Sequence, residues 1–496
     1  LRVPFLFSKF AKHIKEQEGK MNPWDVSINF KDFILDFSFL SLFLLMGTAL
    51  RRYVPFFQKY LIPNNILAGF LGLILGPQIL GYIFKDFSFA DYSYVPLNSD
   101  RLGVYVYHIL ALTFIAMGLR KEKTSWGKGP LSTSFTGLFC FLGQAVIGLL
   151  IAFLLIYTIE PDLFPGIGML VTMGFGMGPG LAYSMGRSWE QFGFEGGGQV
   201  GLTFAAIGYL FAFFGGIWLI QWGIKHKKTK LINSVDDITS DIRMGVYKKG
   251  EQPSAGKLPL ASEAIESMAF QIAMIGFVYL LTYYTVYLLT GWMERSGLEG
   301  FVATVWSFHF IFAIIISLIV RKVMDWQNRS YVIDTGLMNR LAGASIDYLV
   351  VSSIAAISVT IVAKYWVSIL TMSIFAGVYT ALIIYWAVYR AFDDYPFERF
   401  IGIFGEKTGT VNSGLVLIRV TDPEFKTNAA EDLIYGGAIT IFLGLPLLVI
   451  MNFPMTMFNN SLRGYIITLG IFIAYWLFLL ILWRAIGFLK FKKVID

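Results

Sequence analysis

The chain has 496 residues, 56% hydrophobic, 17% aromatic and only 15% charged, with a mean hydropathy of +0.63. Soluble domains carry about 25% charged residues, so this composition excludes an ordinary water-soluble globule, and its long apolar runs point to a polytopic helical membrane protein. The net charge of +7 lies in short basic clusters beside those runs, the pattern of membrane-flanking loops rather than of a nucleic-acid partner.

Residues 1–32 form an N-terminal segment. Its first 20 residues are basic and lack a small-residue cleavage site, so they do not read as a signal peptide, and Met21 is the alternative start. Apolar spans are predicted at 33–50, 62–84, 103–119, 132–158 and 197–223. A polar linker covers 225–264, and further spans follow at 267–292, 301–320, 341–361, 366–390, 433–452 and 462–485. That makes about eleven spans in an all-α fold. These continuous runs are unlike the short alternating strands of a closed barrel.

Charge orients the spans. Arg51, Arg52 and Lys59 follow the first, Arg120, Lys121, Lys123 and Lys128 the third, and Lys225, Lys227, Lys228 and Lys230 the fifth. Asp86, Asp91, Asp100, Glu160 and Asp162 occupy the alternate connections. The positive-inside rule puts the linker and the C-terminus in the cytoplasm and the N-terminus outside. Five spans precede the linker, so the halves 33–224 and 265–453 are expected to be inverted relative to each other. Residues 454–496 add an unmatched C-terminal helix and a basic tail.

Each half carries a glycine-broken segment before its fifth span: 165–187, containing "VTMGFGMGPGLAYSMG", and 400–420, containing "FGEKTGTVNSGLVLIR". Paired breaks of this kind point to the substrate site of an inverted-repeat transporter. Irregular backbone is tolerated at bilayer depth only where protein buries it or it lines a watery cavity. A broken helix offers carbonyls to a cation and N–H groups to an anion. The competing reading is a small-residue packing face.

In the second segment Thr408, Gly409, Thr410, Asn412 and Ser413 supply the neutral oxygens that a sodium ion favours. Lys407 and Arg419 are candidate partners of a substrate carboxylate. The alternatives are pairing of Lys407 with Glu406, and of Arg419 with Asp422 or Glu424. In the first segment Thr172, Tyr183 and Ser184 flank the glycines, and Gln199 opens the fifth span as a polar ligand or a packing hydrogen bond. Glu195 lies upstream of it. Asp347 is a cation candidate or a helix-start carboxylate. His108 and His309 read as core histidines, and one cysteine, Cys140, excludes an internal disulfide. Asp393-Asp394 lacks the second acidic cluster of a magnesium-dependent enzyme and reads as a solvated loop. No Walker-type loop supports ATP-driven pumping. A channel and a non-transporting sensor are the remaining rivals.

With these segments in view, the chain resembles the glutamate:sodium symporter family over about residues 33–453. "LIPNNILAGFLGLILGPQILG" and "ALTFIAMGL" resemble the family's second and third spans. The first broken segment with "EQFGFEGGGQVGLTFAAIGYLFAFFGGIW" resembles its first hairpin and following span. "LAGASIDYLVVSSIAAISV" and "FGEKTGTVNSG" occupy the corresponding places of the second half. The resemblance implies two inverted five-helix repeats with two re-entrant hairpins and a homodimer. It also implies sodium-coupled uptake of glutamate or a related carboxylate, with no cofactor. Substrate and sodium would meet between Gly174–Ser184, including Gly176, Met177 and Gly178, and Gly405–Ser413. The sequence departs from the family where Met177 replaces a histidine, Pro179 replaces a threonine, and Glu406 and Lys407 enter a neutral hairpin.

Overall fold

The computed structural model describes residues 29–83, 96–120, 127–232, 243–246, 250, 254, 256–261 and 263–490. Residues 1–20, Asp86, Asp91, Lys121, Lys123 and much of the linker lie outside them. The described residues contain no strand. Helix is the expected outcome, because apolar surroundings leave backbone groups no partner but each other.

The first half contains α1 (Phe30–Tyr53), α2 (Asn64–Leu75, continued to Ile83), α3 (Ser99–Leu119) and α4 (Lys128–Thr158). A broken pair follows, α5 (Ile167–Gly176) and α6 (Pro179–Trp189), then α7 (Gly197–Lys225), which has a π-helical turn at Phe211–Gly215. Side chains cap the entries: Asn29 accepts from Asp32 N, and Asn98 from Arg101 N. After the linker come α8 (Ser267–Arg295), α9 (Val302–Ser307), α10 (His309–Trp326), α11 (Thr335–Ala355) and α12 (Trp366–Ala391). A second broken pair, α13 (Pro396–Thr408) and α14 (Val411–Thr421), precedes α15 (Ala429–Ile450) and α16 (Leu462–Ala485).

Among the described residues, nine helices are long and apolar enough to cross a bilayer, and a bent pair would make ten. The chain is an all-α, multi-pass membrane protein. Two of the eleven predicted spans differ from expectation. The span at 301–320 is broken into Glu299–Ser307 and His309–Trp326, bent by 62°. The span at 341–361 is α11, which starts earlier, ends at Ala355 and falls outside the long apolar set. Its Asn339, Arg340 and Asp347 explain the lower apolarity; Asp347 accepts from Asn65 Nδ2 of α2 at 2.8 Å.

Two groups of helices result. α1, α2, α3, α8, α10 and α11 pack with one another, while α4, α7, α12 and α15 enclose the two broken pairs and α16 lies against α4. The groups meet where α6 crosses α3. There the Tyr183 hydroxyl occupies the place of a side chain on Gly103 (a Cβ would fall 2.2 Å from it). Ion pairs fasten both ends of the second group. At the Lys128 end, Asp393 pairs with Lys128 Nζ (2.9 Å) and Lys490 Nζ (3.0 Å), and Arg399 bridges Asp394 and Asp432. The loop holding Asp393 and Asp394 is thus half-exposed and also ties α4, α13, α15 and the chain end together. At the opposite end Glu195 pairs with Lys364 at 2.6 Å and Ser368 donates to Glu160.

Candidate functional site

The sequence "GFGMGPG" breaks the first pair for local reasons. Gly174 and Gly176 weaken helix, and Pro179 is tolerated only at the first turn of a new one. Between them Gly178 takes φ +86°, a conformation costly for any residue with a Cβ. The chain then reverses. Phe164, before α5, stacks on Phe194, after α6, at 4.6 Å and lies 6.4 Å from Trp189 at the end of α6. Entry and exit therefore lie together at the Glu160 end, and α5–α6 is a hairpin. Trp189 Nε1 anchors its base by donating to Asn452 Oδ1, just past the end of α15, at 2.9 Å.

The second pair is built the same way from the opposite end. Gly409 and Thr410 are non-helical, and the Thr410 hydroxyl caps α14 by accepting from Ser413 N at 3.4 Å. α13 and α14 run back along each other closely enough that a Cβ on Gly405 would fall 2.9 Å from Gly414 Cα. Their base is held at the Lys128 end by Arg399 and Asp432.

The hairpin tips meet. A Cβ on Gly178 would lie 3.5 Å from Thr410 Cγ2. Two helices run past both. α7 packs Gly174 against Phe204 and, further along, brings Gly208 against the Thr408 carbonyl. α4 packs Gly148 against Gly168 in the first hairpin and Gly137 against Lys407 in the second. Midway along α4, between those contacts, Gln144 is fully buried. Its Oε1 accepts from Thr172 Oγ1 at 3.0 Å. Its Nε2 donates to Thr380 Oγ1 of α12 at 2.7 Å and to the Lys407 carbonyl at 3.1 Å. One amide thus joins both hairpins to α4 and α12.

The crossing collects four helix ends: the C-termini of α5 and α13 and the N-termini of α6 and α14. C-terminal carbonyls attract a cation and N-terminal N–H groups an anion, each end carrying about half an elementary charge. Compared with protein-family models, curated proteins and solved structures, the chain finds no match in any of the three. The reading of the site therefore rests on its own geometry.

Of the residues singled out from sequence, Gly176, Met177, Gly178, Gly409 and Thr410 stand at the tips. Met177 is half-buried and directs its methyl toward Gly444 of α15. Thr408 donates to the Phe404 carbonyl at 2.7 Å, Ser413 is buried behind Gly409, and Asn412 is exposed. Ser184 is fully buried within α6, and its hydroxyl has no partner among the described residues. Tyr183 points to α3 rather than to the second hairpin.

Three others lie elsewhere or face away. Gln199 is in the first turn of α7, nine residues or about 13 Å before Gly208. Arg419 lies at the far end of α14, over the Phe425 ring at 5.8 Å. Its suggested acids are engaged by others: Asp422 accepts from Lys426 N and Thr427 N, and Glu424 pairs with Lys426. Lys407 is buried and pairs with Glu406 Oε1 at 3.0 Å between α4 and α15. Asp347 sits on α11 against α2. His309 stacks on Tyr107 at 3.7 Å and His108 bonds the Tyr279 hydroxyl at 2.6 Å, both in the first helix group. No cluster of metal-binding His, Cys, Asp and Glu occurs among the described residues.

Sequence reasoning missed Gln144, Thr380, Thr440 and Asn452. A signal existed for the first: Gln144 is the one side-chain amide in α4. Polar groups in membrane helices commonly bond across helices.

Proposed function

We propose that this chain is a secondary transporter that carries glutamate or a related small carboxylate with sodium by alternating access. It works as a homodimer in a cell inner membrane, with the linker and C-terminus cytoplasmic, and its halves form inverted repeats. The observation that carries the reading is the tip-to-tip meeting of two hairpins entering from opposite ends, Gly178 against Thr410. That arrangement suits a site reached from either side in turn, with substrate anion at the N-termini of α6 and α14. Sodium would be held by carbonyls ending α5 and α13 and by the hydroxyls of Thr408, Thr410 and Ser413. Sodium lowers the cost of ordering the tips and the anion completes the site, so the partly loaded carrier reorients poorly.

The test is uptake of labelled glutamate into proteoliposomes under an inward sodium gradient, with a potassium control and counterflow. Accumulation that requires sodium, with counterflow, is expected. Downhill passage without counterflow would replace the carrier by a channel, and no movement of any small carboxylate would overturn the reading.

A further inference from the structure

The Glu406–Lys407 pair is the one ion pair at the depth of the crossing among the described residues, and its surroundings are specific. Lys407 Nζ lies 3.0 Å from Glu406 Oε1, with the two side chains 2% and 6% exposed. The lysine is admitted because residue 137 is glycine: a Cβ there would fall 2.5 Å from Lys407 Cε and 3.0 Å from Nζ. The same point lies 3.4 Å from Thr440 Oγ1, which donates to the Gly436 carbonyl at 2.8 Å and lies 3.2 Å from Ser134 Oγ. On the other side Gly437 brings the α15 backbone against Glu406 Oε1, so the carboxylate is fixed in place. Lys407 Nζ bonds Glu406 Oε1, and the Thr440 hydroxyl, with Ser134 beside it, borders the Gly137 gap that the ammonium occupies. Hard oxygen donors of this kind also suit a small monovalent metal cation.

We propose that Glu406, Thr440 and Ser134 form a monovalent-cation site that the Lys407 ammonium fills from within. The ammonium is a resident cation carried by the second hairpin. Its place between α4 and α15, away from the Gly178–Thr410 contact, also means that it balances Glu406 rather than a substrate. The inference rests on the carrier reading for its consequence: one positive charge that a carrier would otherwise take from solution is supplied by the chain. The site itself needs only the local chemistry.

Removing the ammonium should open the site. Purified wild type, Lys407→Met and the charge-free Glu406→Gln/Lys407→Met variant are melted in sodium or potassium chloride and in choline chloride of equal ionic strength. Lys407→Met is expected to be less stable in choline. It should gain about 1–2 °C in an alkali chloride present at about tenfold its dissociation constant, and more as the concentration rises. Wild type and the double variant should lack that gain. If Lys407→Met folds only in alkali chloride, the proposal is equally supported.

The proposal is overturned by the absence of a cation-specific gain, by an equal gain in the double variant, or by Lys407→Met failing to fold in every salt. Failure of the double variant as well counts against it too, because neutralising both partners should leave a foldable pocket. The assay contains no substrate and no gradient. Loss of the transport reading would leave its result standing, and an absent gain beside intact uptake would remove this proposal alone.

Discussion

Replacing Gln144 by leucine keeps most of the side-chain volume and removes the amide that joins the two hairpins. Thr172 retains its bond to the Phe141 carbonyl (2.9 Å) and Thr380 its bond to the Ala376 carbonyl (2.6 Å), so neither hydroxyl is orphaned. The Lys407 carbonyl fares differently. It belongs to the last turn of α13, where carbonyls lack intrahelical partners, and it loses the Gln144 donor. One buried unsatisfied acceptor costs about 1–3 kcal/mol. Alanine would add a cavity term and blur the result, which is why leucine is the informative change. If the cost falls on the sodium-loaded form, half-saturation by sodium rises about five- to hundredfold, since each 1.4 kcal/mol is a factor of ten. The assay is sodium-dependent uptake in proteoliposomes, paired with thermal melting of the purified variant. Wild-type melting together with a half-saturation within twofold of wild type would refute the claim that this amide couples the hairpins.

Two further predictions concern other terms. At Gly178 a methyl group has room, so Gly178→Ala meets only the backbone strain of its φ +86°, ψ 174° conformation, about 1–3 kcal/mol. Transport should fall while the melting temperature moves little, whereas Gly148→Ala, whose Cβ would fall 1.9 Å from the Gly168 carbonyl oxygen, should fail as a monodisperse preparation; the reverse order of severity would show the hairpin base to be the looser part. At the surface, the Lys128 and Lys490 ammonium groups hold the Asp393 carboxyl below its ordinary value. A lowered folded-state value contributes stability above the unfolded value, near 3.9, and loses it as pH falls through the folded one. Because the carboxylate is half-exposed, the contribution is at most about 1 kcal/mol. The melting advantage of wild type over Asp393→Asn should be present at pH 7, fade below about pH 4 and shrink in high salt; a difference constant with pH would sink the assignment.

The helices and both breaks were legible because the membrane leaves the backbone few choices. Long apolar runs must be helix, and glycine with proline inside one must be an interruption with a reason. The bend between α9 and α10 was hidden, since Ser307 and Phe308 carry no glycine or proline to mark it. α11 was misjudged in extent because one face packs on α2 and α3 while Asn339, Arg340 and Asp347 stand exposed on it, so its pattern is not that of a uniformly apolar span. At the site, composition pointed to the tips, but the direction of each side chain depends on the facing helix. Gly137 decides where Lys407 goes, and it lies 270 positions earlier in the chain. No local pattern around "GEKTG" could reveal that.

The placement of Lys407 and Arg419 changes what recognition at the crossing can rest on. Lys407 is paired with Glu406 and Arg419 is at the far end of α14, so neither brings its charge to the tips. Pro179 has no N–H to give, and the first intrahelical bond of α6 runs from Ala182 N to the Gly178 carbonyl. In α14 the corresponding bond runs from Gly414 N to the Thr410 carbonyl. The N–H groups ahead of those bonds, at Gly180, Leu181, Val411 and Asn412, are the ones a helix start directs at an anion. On the carrier reading, two partial charges of about +0.5 from helix ends then face the substrate in place of one guanidinium. Such a site reads charge and size more than the planar fork of a single carboxylate, and a sodium ion at the adjoining carbonyl ends becomes part of the anion's own neutralisation. On that reading, coupling between the two solutes would follow from the shared charge balance, with Gln144 fixing the distance over which it acts.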